Sequence, residues 1–167
     1  EDALQFGPAT RALNSYVVAP PIPDVATRMD WVSGASMMVR REVFEKVGLL
    51  DAGYFMYYEE TDFCLRAARA GFECWYVPAS RIIHLVGQSS GVTGAKRSTK
   101  RRPKYWFESR ARYFRNNRGA LSMHAANLTW LTAYPIGRAW LRLRGRRRDD
   151  PPMLWWDFLK YNYLPCK

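Results

Sequence analysis

The sequence predicts an α/β chain followed by a helical, basic tail, and three observations carry that reading. Short apolar runs alternate with short amphipathic stretches closed by Gly48 and Gly71. From Pro103 onward the pattern turns continuously helical, with Gly119 as its one early interruption. The formal charge of +11 is also unevenly placed. Residues 1–95 carry 8 Lys/Arg and 11 Asp/Glu, residues 96–148 carry 16 and 1, and residues 149–167 carry 2 and 3. The expected division is therefore a mixed region, residues 1–118, and a tail, residues 119–167.

Residues 1–30 read as loop. Ala19-Pro20-Pro21-Ile22-Pro23-Asp24 cannot be helical, because each proline removes a backbone donor and restricts its predecessor. Trp31 to Val39 reads as a loop of small residues, Ser33-Gly34-Ala35-Ser36, running into a buried strand. Arg40 to Val47 is a short helix with Val43, Phe44 and Val47 on one side and Gly48 as its stop. After a turn at 49–53, Tyr54 to Tyr58 is an aromatic strand or loop. Phe63 to Ala70 is a helix whose approach, Glu59-Glu60-Thr61-Asp62, suits the positive end of the helix dipole. Strands are expected at Phe72–Val77, ended by Pro78, and at Arg81–Val86, which carries His84. Gly87 to Gly91 is a loop. Past Pro103, Tyr105, Trp106, Ser109, Tyr113 and Asn117 fall near one helix face. Gly119 separates this helix from a second, Ala120 to about Arg144. Asp149-Asp150-Pro151-Pro152 breaks the pattern, and a short aromatic helix follows from Met153 to Tyr161.

The chain has 167 residues, 48% of them hydrophobic and 15% aromatic, which is enough to bury a core. Cys64, Cys74 and Cys166 are odd in number and unpatterned, so neither a disulfide framework nor a zinc site follows, and a reducing compartment fits. The opening residues Glu1 to Gln5 lack Met, a basic stretch and an apolar stretch. They read as the interior of a longer protein rather than a signal peptide. No run reaches the roughly 18 uninterrupted apolar residues a membrane span needs.

The densest chemical signal is Phe55-Met56-Tyr57-Tyr58-Glu59-Glu60-Thr61-Asp62-Phe63-Cys64-Leu65-Arg66. Three carboxylates within four residues, beside aromatic rings, form the setting in which like charge and an apolar wall favour a carboxylate that takes up a proton near neutral pH. The plainer reading is a helix start with solvated acids. Asp62 and Arg66, four apart, are placed to pair with each other.

Several motifs in order resemble the family 2 glycosyltransferases of GT-A type. They are the run Trp31 to Phe44, the turn Gly48-Leu49-Leu50-Asp51, the stretch Phe55 to Arg66, Ala70-Gly71-Phe72 and the strand that ends in His84. The nearest subgroup is the rhamnosyltransferase-like enzymes of bacterial surface polysaccharide assembly. The resemblance runs from residue 31 to about 118. It implies the C-terminal, acceptor-side portion of a GT-A (Rossmann-like) fold, because the Asp-x-Asp metal motif that ends the nucleotide-binding half is absent here. It further implies inverting transfer of a sugar from a nucleotide-sugar to a glycan or lipid-linked acceptor. Glu60 stands where the family has its general base, usually an aspartate, and Asp62 is the alternative. Trp31, Ser33, Gly34 and Ala35 resemble the loop that lines the sugars, and Glu59 belongs to the same substrate-binding set. His84 matches the family's metal-ligand histidine, for Mg²⁺ or Mn²⁺, with the other ligands expected in the N-terminal half. Gly87 to Gly94 resembles a mobile loop that closes over the diphosphate. A fragment of this kind is expected to be inactive on its own.

The basic segment, with its interleaved Tyr105, Trp106, Phe107, Tyr113 and Phe114, admits two further readings. One is a nucleic-acid-binding module, which has no use for the carboxylate and histidine motifs. The other is a membrane-surface anchor, compatible with the enzyme. Here Leu121, Leu128, Trp130, Leu131, Trp140, Leu141 and Leu143 meet an anionic membrane, with Arg138, Arg142, Arg144, Arg146, Arg147 and Arg148 at the headgroups. The location that follows is cytoplasmic, peripheral on the inner face of the plasma membrane.

Overall fold

A computed structural model describes residues 22–84, 100–146 and 150–164. Its elements run β1 (Thr27–Met29), α1 (Arg41–Val47), α2 (Glu59–Arg69), β2 (Cys74–Tyr76), α3 (Lys104–Leu143) and α4 (Leu154–Tyr163). Mixed helix and strand agree with the α/β expectation. The strands, however, are fewer and shorter than predicted.

β1 and β2 pair antiparallel, with Thr27 opposite Tyr76, Arg28 opposite Trp75 and Met29 opposite Cys74. Three residues per strand are marginal alone, and an Arg28–Glu73 ion pair at 3.0 Å spans the exposed side. β1 lies inside the stretch read as loop, since three residues are too few to show an alternation. Two expected strands are absent among the described residues. Residues 37–39 are irregular, with Met38 fully exposed. Residues 81–84 are also irregular and exposed, and the rest of that segment, like the loop at 87–94, lies outside the described residues.

α1 and α2 pack through Val43, Phe44 and Phe63, the two phenyl rings 5.3 Å apart. Arg66 fixes their relation. Its Nη1 donates to the Val47 carbonyl at 2.5 Å and its Nη2 to the Leu49 carbonyl at 2.9 Å. Carbonyls at a helix C-terminus have no intrahelical donor, so an arginine from a neighbouring helix meets a real need. Cys64 and Cys74, unpatterned in the sequence, are brought together. The Cys74 thiol and the Val32 N–H both bond to Cys64, and these bonds draw its thiol down in pKa.

α3 is two helices rather than one. Gly119 has φ +82° and ψ 162°, and no helix passes through that conformation. The arms fold back on each other: Arg110 Nη1 donates to Asn127 Oδ1. Seventeen residues along a straight helix would separate them by about 26 Å. α4 lies against both arms. Phe158 is 1% exposed, with Trp130 stacked on it at 4.1 Å and Phe107 edge-on at 6.2 Å. The stretch set apart as a tail therefore shares a core with residues before Gly119. Trp130 and Leu141, expected to face a membrane, are used in this packing, which removes them from the surface stripe.

Pro135 sits inside the second arm and provides no N–H for the carbonyl of Leu131, four residues earlier. The indole Nε1 of Trp155 donates to that carbonyl at 2.9 Å. Trp155→Phe is expected to cost about 1–2 kcal/mol by stranding the carbonyl. Pro135→Ala in the same chain restores the helical donor and should recover much of the loss. A double-mutant cycle by urea unfolding checks the coupling, and strictly additive effects would sever the two residues.

Candidate active site

The acidic run begins a helix, as read, but the helix starts earlier, at Glu59, so all three acids lie in its first turn. The chain enters α2 through two consecutive left-handed tyrosines, Tyr57 at φ +70° and Tyr58 at φ +72°. For residues with a Cβ this conformation costs roughly 1–2 kcal/mol each. Nothing in the sequence announces it. The first arm of α3 holds the turn in place: Ser109 Oγ donates to the Met56 carbonyl at 2.8 Å, and Tyr58 lies against Tyr113 at 5.3 Å. Tyr105 meets both Phe55 and Tyr57, at 5.2 and 6.2 Å. Backbone strain kept in place by surrounding structure is characteristic of functional sites.

The three carboxylates have different surroundings. Asp62 is 3% exposed and fully engaged: it accepts from Arg66 Nε at 2.9 Å, Asn117 Nδ2 at 2.7 Å and Tyr54 Oη at 3.3 Å. Burial, then the Asp62 charge, pushes the Tyr54 phenol up, so it stays a donor. Glu59 and Glu60 are half-buried, and each has one buried carboxylate oxygen, Oε2, with no hydrogen-bond partner. Burial also raises the Glu59 carboxyl above the ordinary glutamate range.

The small-residue loop meets the acidic turn. A Cβ built on Gly34 would sit 3.7 Å from Cβ of Glu60, so the loop backbone lies directly over that side chain. The loop is a tight turn, with Ser36 N–H donating to the Ser33 carbonyl at 3.3 Å and Ala35 N–H to Ser33 Oγ at 3.3 Å. Ser33, Gly34 and Ala35 are exposed and Trp31 is half-buried. The Val32 N–H lies near enough to the Cys64 thiol to help lower its pKa.

Asp51, in the turn that precedes the aromatic run, receives Arg112 through both oxygens, Nε at 2.8 Å and Nη2 at 2.9 Å. That guanidinium lies across Gly53, where a Cβ would fall 2.1 Å from Arg112 Cζ, so a larger residue would have to push the arginine aside. The Arg112 bond holds the Asp51 carboxyl below its usual range. Sequence reasoning named the turn but not this clamp, because its two halves stand 61 residues apart.

His84 lies on the exposed irregular stretch. Among the described residues no three His, Cys, Asp or Glu side chains lie close enough to hold a metal ion. These residues alone do not form a site for Mg²⁺ or Mn²⁺, and His84 offers at most one ligand.

The Glu59 shift has a testable sign. A folded-state pKa raised above the ordinary 4.5 means the folded chain holds this proton more tightly than the unfolded chain. Stability from this residue therefore falls as pH rises through and beyond that value. Glu59→Gln should be more stable than wild type at pH 7, with the gain shrinking toward pH 4. Urea midpoints at the two pH values measure it, and an equal change at both would exclude the ionisation as its cause.

Residues 11–166 match glycosyl transferase family group 2. The chain is 48% identical over 58 residues to Rhamnosyltransferase WbbL of Escherichia coli, a stretch covering 35% of this chain and 22% of that protein. It is 41% identical over 61 residues to the N-acetylglucosaminyl-diphospho-decaprenol L-rhamnosyltransferase of Mycobacterium tuberculosis, covering 36% and 20%. To the dTDP-rhamnosyl transferase RfbF of Shigella flexneri it is 38% identical over 53 residues, covering 32% and 18%. The matched stretches span about a fifth of the length of these curated relatives. No solved structure matches. A match over nearly the whole chain, including the Gly34 loop and the acidic turn it covers, shows that the chain belongs to glycosyl transferase family group 2.

Proposed function

We propose that this chain is the acceptor-side part of an inverting glycosyltransferase and that Glu60 is its general base. The reaction is transfer of a sugar, of rhamnosyl type, from a nucleotide-sugar to a glycan or lipid-linked acceptor in polysaccharide synthesis. The names of the relatives support that substrate class. One observation carries the assignment of the base. Glu60 lies at a helix start, beneath the Gly34 backbone and after the strained tyrosines, with a carboxylate oxygen no protein group engages.

In a single displacement, the acceptor hydroxyl gives its proton to Glu60 as its oxygen attacks the anomeric carbon. The bond from that carbon to the diphosphate breaks, and its electron pair leaves with the nucleotide. Asp62 cannot easily take this part, because three donors already occupy its carboxylate. It is a positioning residue. Trp31 and the 33–35 loop offer an aromatic side chain and a close-approaching backbone to the sugars, and Glu59 completes the pocket. His84 supplies one ligand to a divalent cation, the others coming from outside the described residues. The apolar exposure of Met38, Leu49, Phe55 and Ile83 supports a further layer packed on this region, as a GT-A fold requires.

For the basic tail, a membrane-surface role is favoured over nucleic-acid binding. Leu121, Leu128, Leu143 and Trp156 are exposed. Among the described residues no helix is long and apolar enough to cross a membrane. The location that goes with this reading is peripheral, on the cytoplasmic face of the plasma membrane, with these side chains as its support.

The test is kinetic and uses the full-length enzyme. Glu60→Gln should bind donor normally and lose roughly 10²–10⁴-fold in turnover, the usual cost of losing a general base. Asp62→Asn should instead lower the thermal midpoint before it lowers turnover per folded molecule. Normal turnover in Glu60→Gln would remove this residue from the mechanism.

A further inference from the structure

A cleft lies away from Glu60. It has a volume of about 1080 Å³ and lies where the second arm of α3 ends against the segment leading into α4. Arg138, Arg142 and Arg146 line it, together with Tyr134, Asp150 and Trp155. Arg138 and Arg142 are one helical turn apart and so share a face. Arg146 reaches the same cleft because the helix ends in a reversal. Gly145, at φ +68°, lets its own N–H bond to the Arg142 carbonyl and the Arg146 N–H bond to the Leu141 carbonyl.

Charge in the cleft is out of balance. Among the described residues three guanidinium groups face one carboxylate, Asp150, which Arg138 engages through Nε and Nη2. The Arg138 side chain is only 16% exposed, and its Nη1 is buried without a partner. A buried cationic donor left unmade costs free energy, and like charges four residues apart on a helix repel. The arrangement is nonetheless rigid. Tyr134 lies beneath the Arg138 guanidinium at 4.4 Å and bonds to Asp150 at 2.9 Å, and Trp155 is pinned by the Leu131 carbonyl. The helix C-terminus opposes an anion with about half a charge, less than the surplus of two guanidinium groups.

We propose that this cleft binds a phosphate-bearing group, a phosphomonoester or diphosphate, through Arg138 Nη1, Arg142 and Arg146. Planar guanidinium donors match phosphate oxygens in geometry, and a dianion matches the surplus charge. The inference stands whether or not Glu60 is the general base. Two sources share this chemistry, a lipid headgroup and a soluble diphosphate.

The experiment uses the full chain with two probes. One is inorganic pyrophosphate, titrated calorimetrically. The other is vesicles containing phosphatidic acid, whose headgroup is a phosphomonoester, with phosphatidylcholine vesicles as the neutral control. Arg142→Gln/Arg146→Gln is compared with Arg115→Gln/Arg118→Gln, which removes the same charge from exposed positions outside the cleft. Circular dichroism confirms that both fold. The expected result is at least tenfold weaker binding of one or both probes by the cleft variant, with the control variant close to wild type. Loss confined to pyrophosphate identifies a soluble ligand, and loss confined to vesicles a headgroup. No binding of either probe by wild type overturns the proposal, as does equal weakening in both variants, which would mean diffuse attraction.

Discussion

The carboxylate of Asp62 is the constraint on which the rest of the site depends. A charge this deeply buried costs several kcal/mol if unpaired, so the fold supplies donors from three directions. Each donor brings an element with it. Arg66 also bonds the Val47 carbonyl at the end of α1 and the Leu49 carbonyl just beyond it. Asn117 comes from the first arm of α3 and is itself held by Arg69, whose Nη1 and Nη2 reach its side-chain and backbone oxygens at 3.1 and 2.9 Å. Tyr54 comes from the loop that leads into the strained turn. Two residues on an α-helix are about 200° apart. Burying Asp62 therefore turns Glu60 to the other side of α2, under the Gly34 loop. The same burial that surrounds the Asp62 carboxylate with donors leaves Glu60 with a carboxylate oxygen that no protein group engages.

The strained tyrosines follow from that arrangement. With α2 fixed by Asp62 and the preceding turn fixed by the Asp51–Arg112 clamp, few residues are left to connect them. Two left-handed residues reverse the chain sharply enough. Their cost, of order 1–2 kcal/mol apiece, is offset by aromatic packing against Tyr105 and Tyr113, each such pair contributing about 0.5–1.5 kcal/mol beyond burial. The aromatic run between residues 54 and 58 is thus chiefly a brace for the backbone.

Local signals in the sequence were reliable where one element decides them. Gly48 ends α1, Gly119 breaks α3, acids open α2, and Arg66 pairs with Asp62 four residues away. The resemblance assigned the 33–35 loop and Glu60 separate roles at a substrate site and did not pair them; their contact is visible only in the fold. What remained hidden depends on partners far apart in the chain. The Arg112 clamp on Asp51, the meeting of Cys64 with Cys74 and the indole bond to Leu131 have no local pattern. The strands at 37–39 and 81–84 failed for the opposite reason. Their residues are apolar enough for strands, but no neighbouring strand among the described residues supplies the ladder that would order them.

The charge of the segment from 96 to 148 changes meaning once its partners are known. Read as composition, an excess of 15 positive charges suggests a polyanion. In the fold, three of these charges pair with acids from outside the segment. Arg112 reaches back to Asp51, Arg101 reaches forward to Asp157, which is fully buried, and Arg138 reaches Asp150. Arg110 has no acid partner among the described residues. It lies over the rings of Phe114 and Phe158 and donates to Asn127, and burial lowers its pKa. These arginines clip the helical hairpin to the regions before and after it. Arg142 and Arg146, which line the cleft with Arg138, have no carboxylate partner among the described residues. Their placement, more than the total charge, is what distinguishes a binding site from a basic surface.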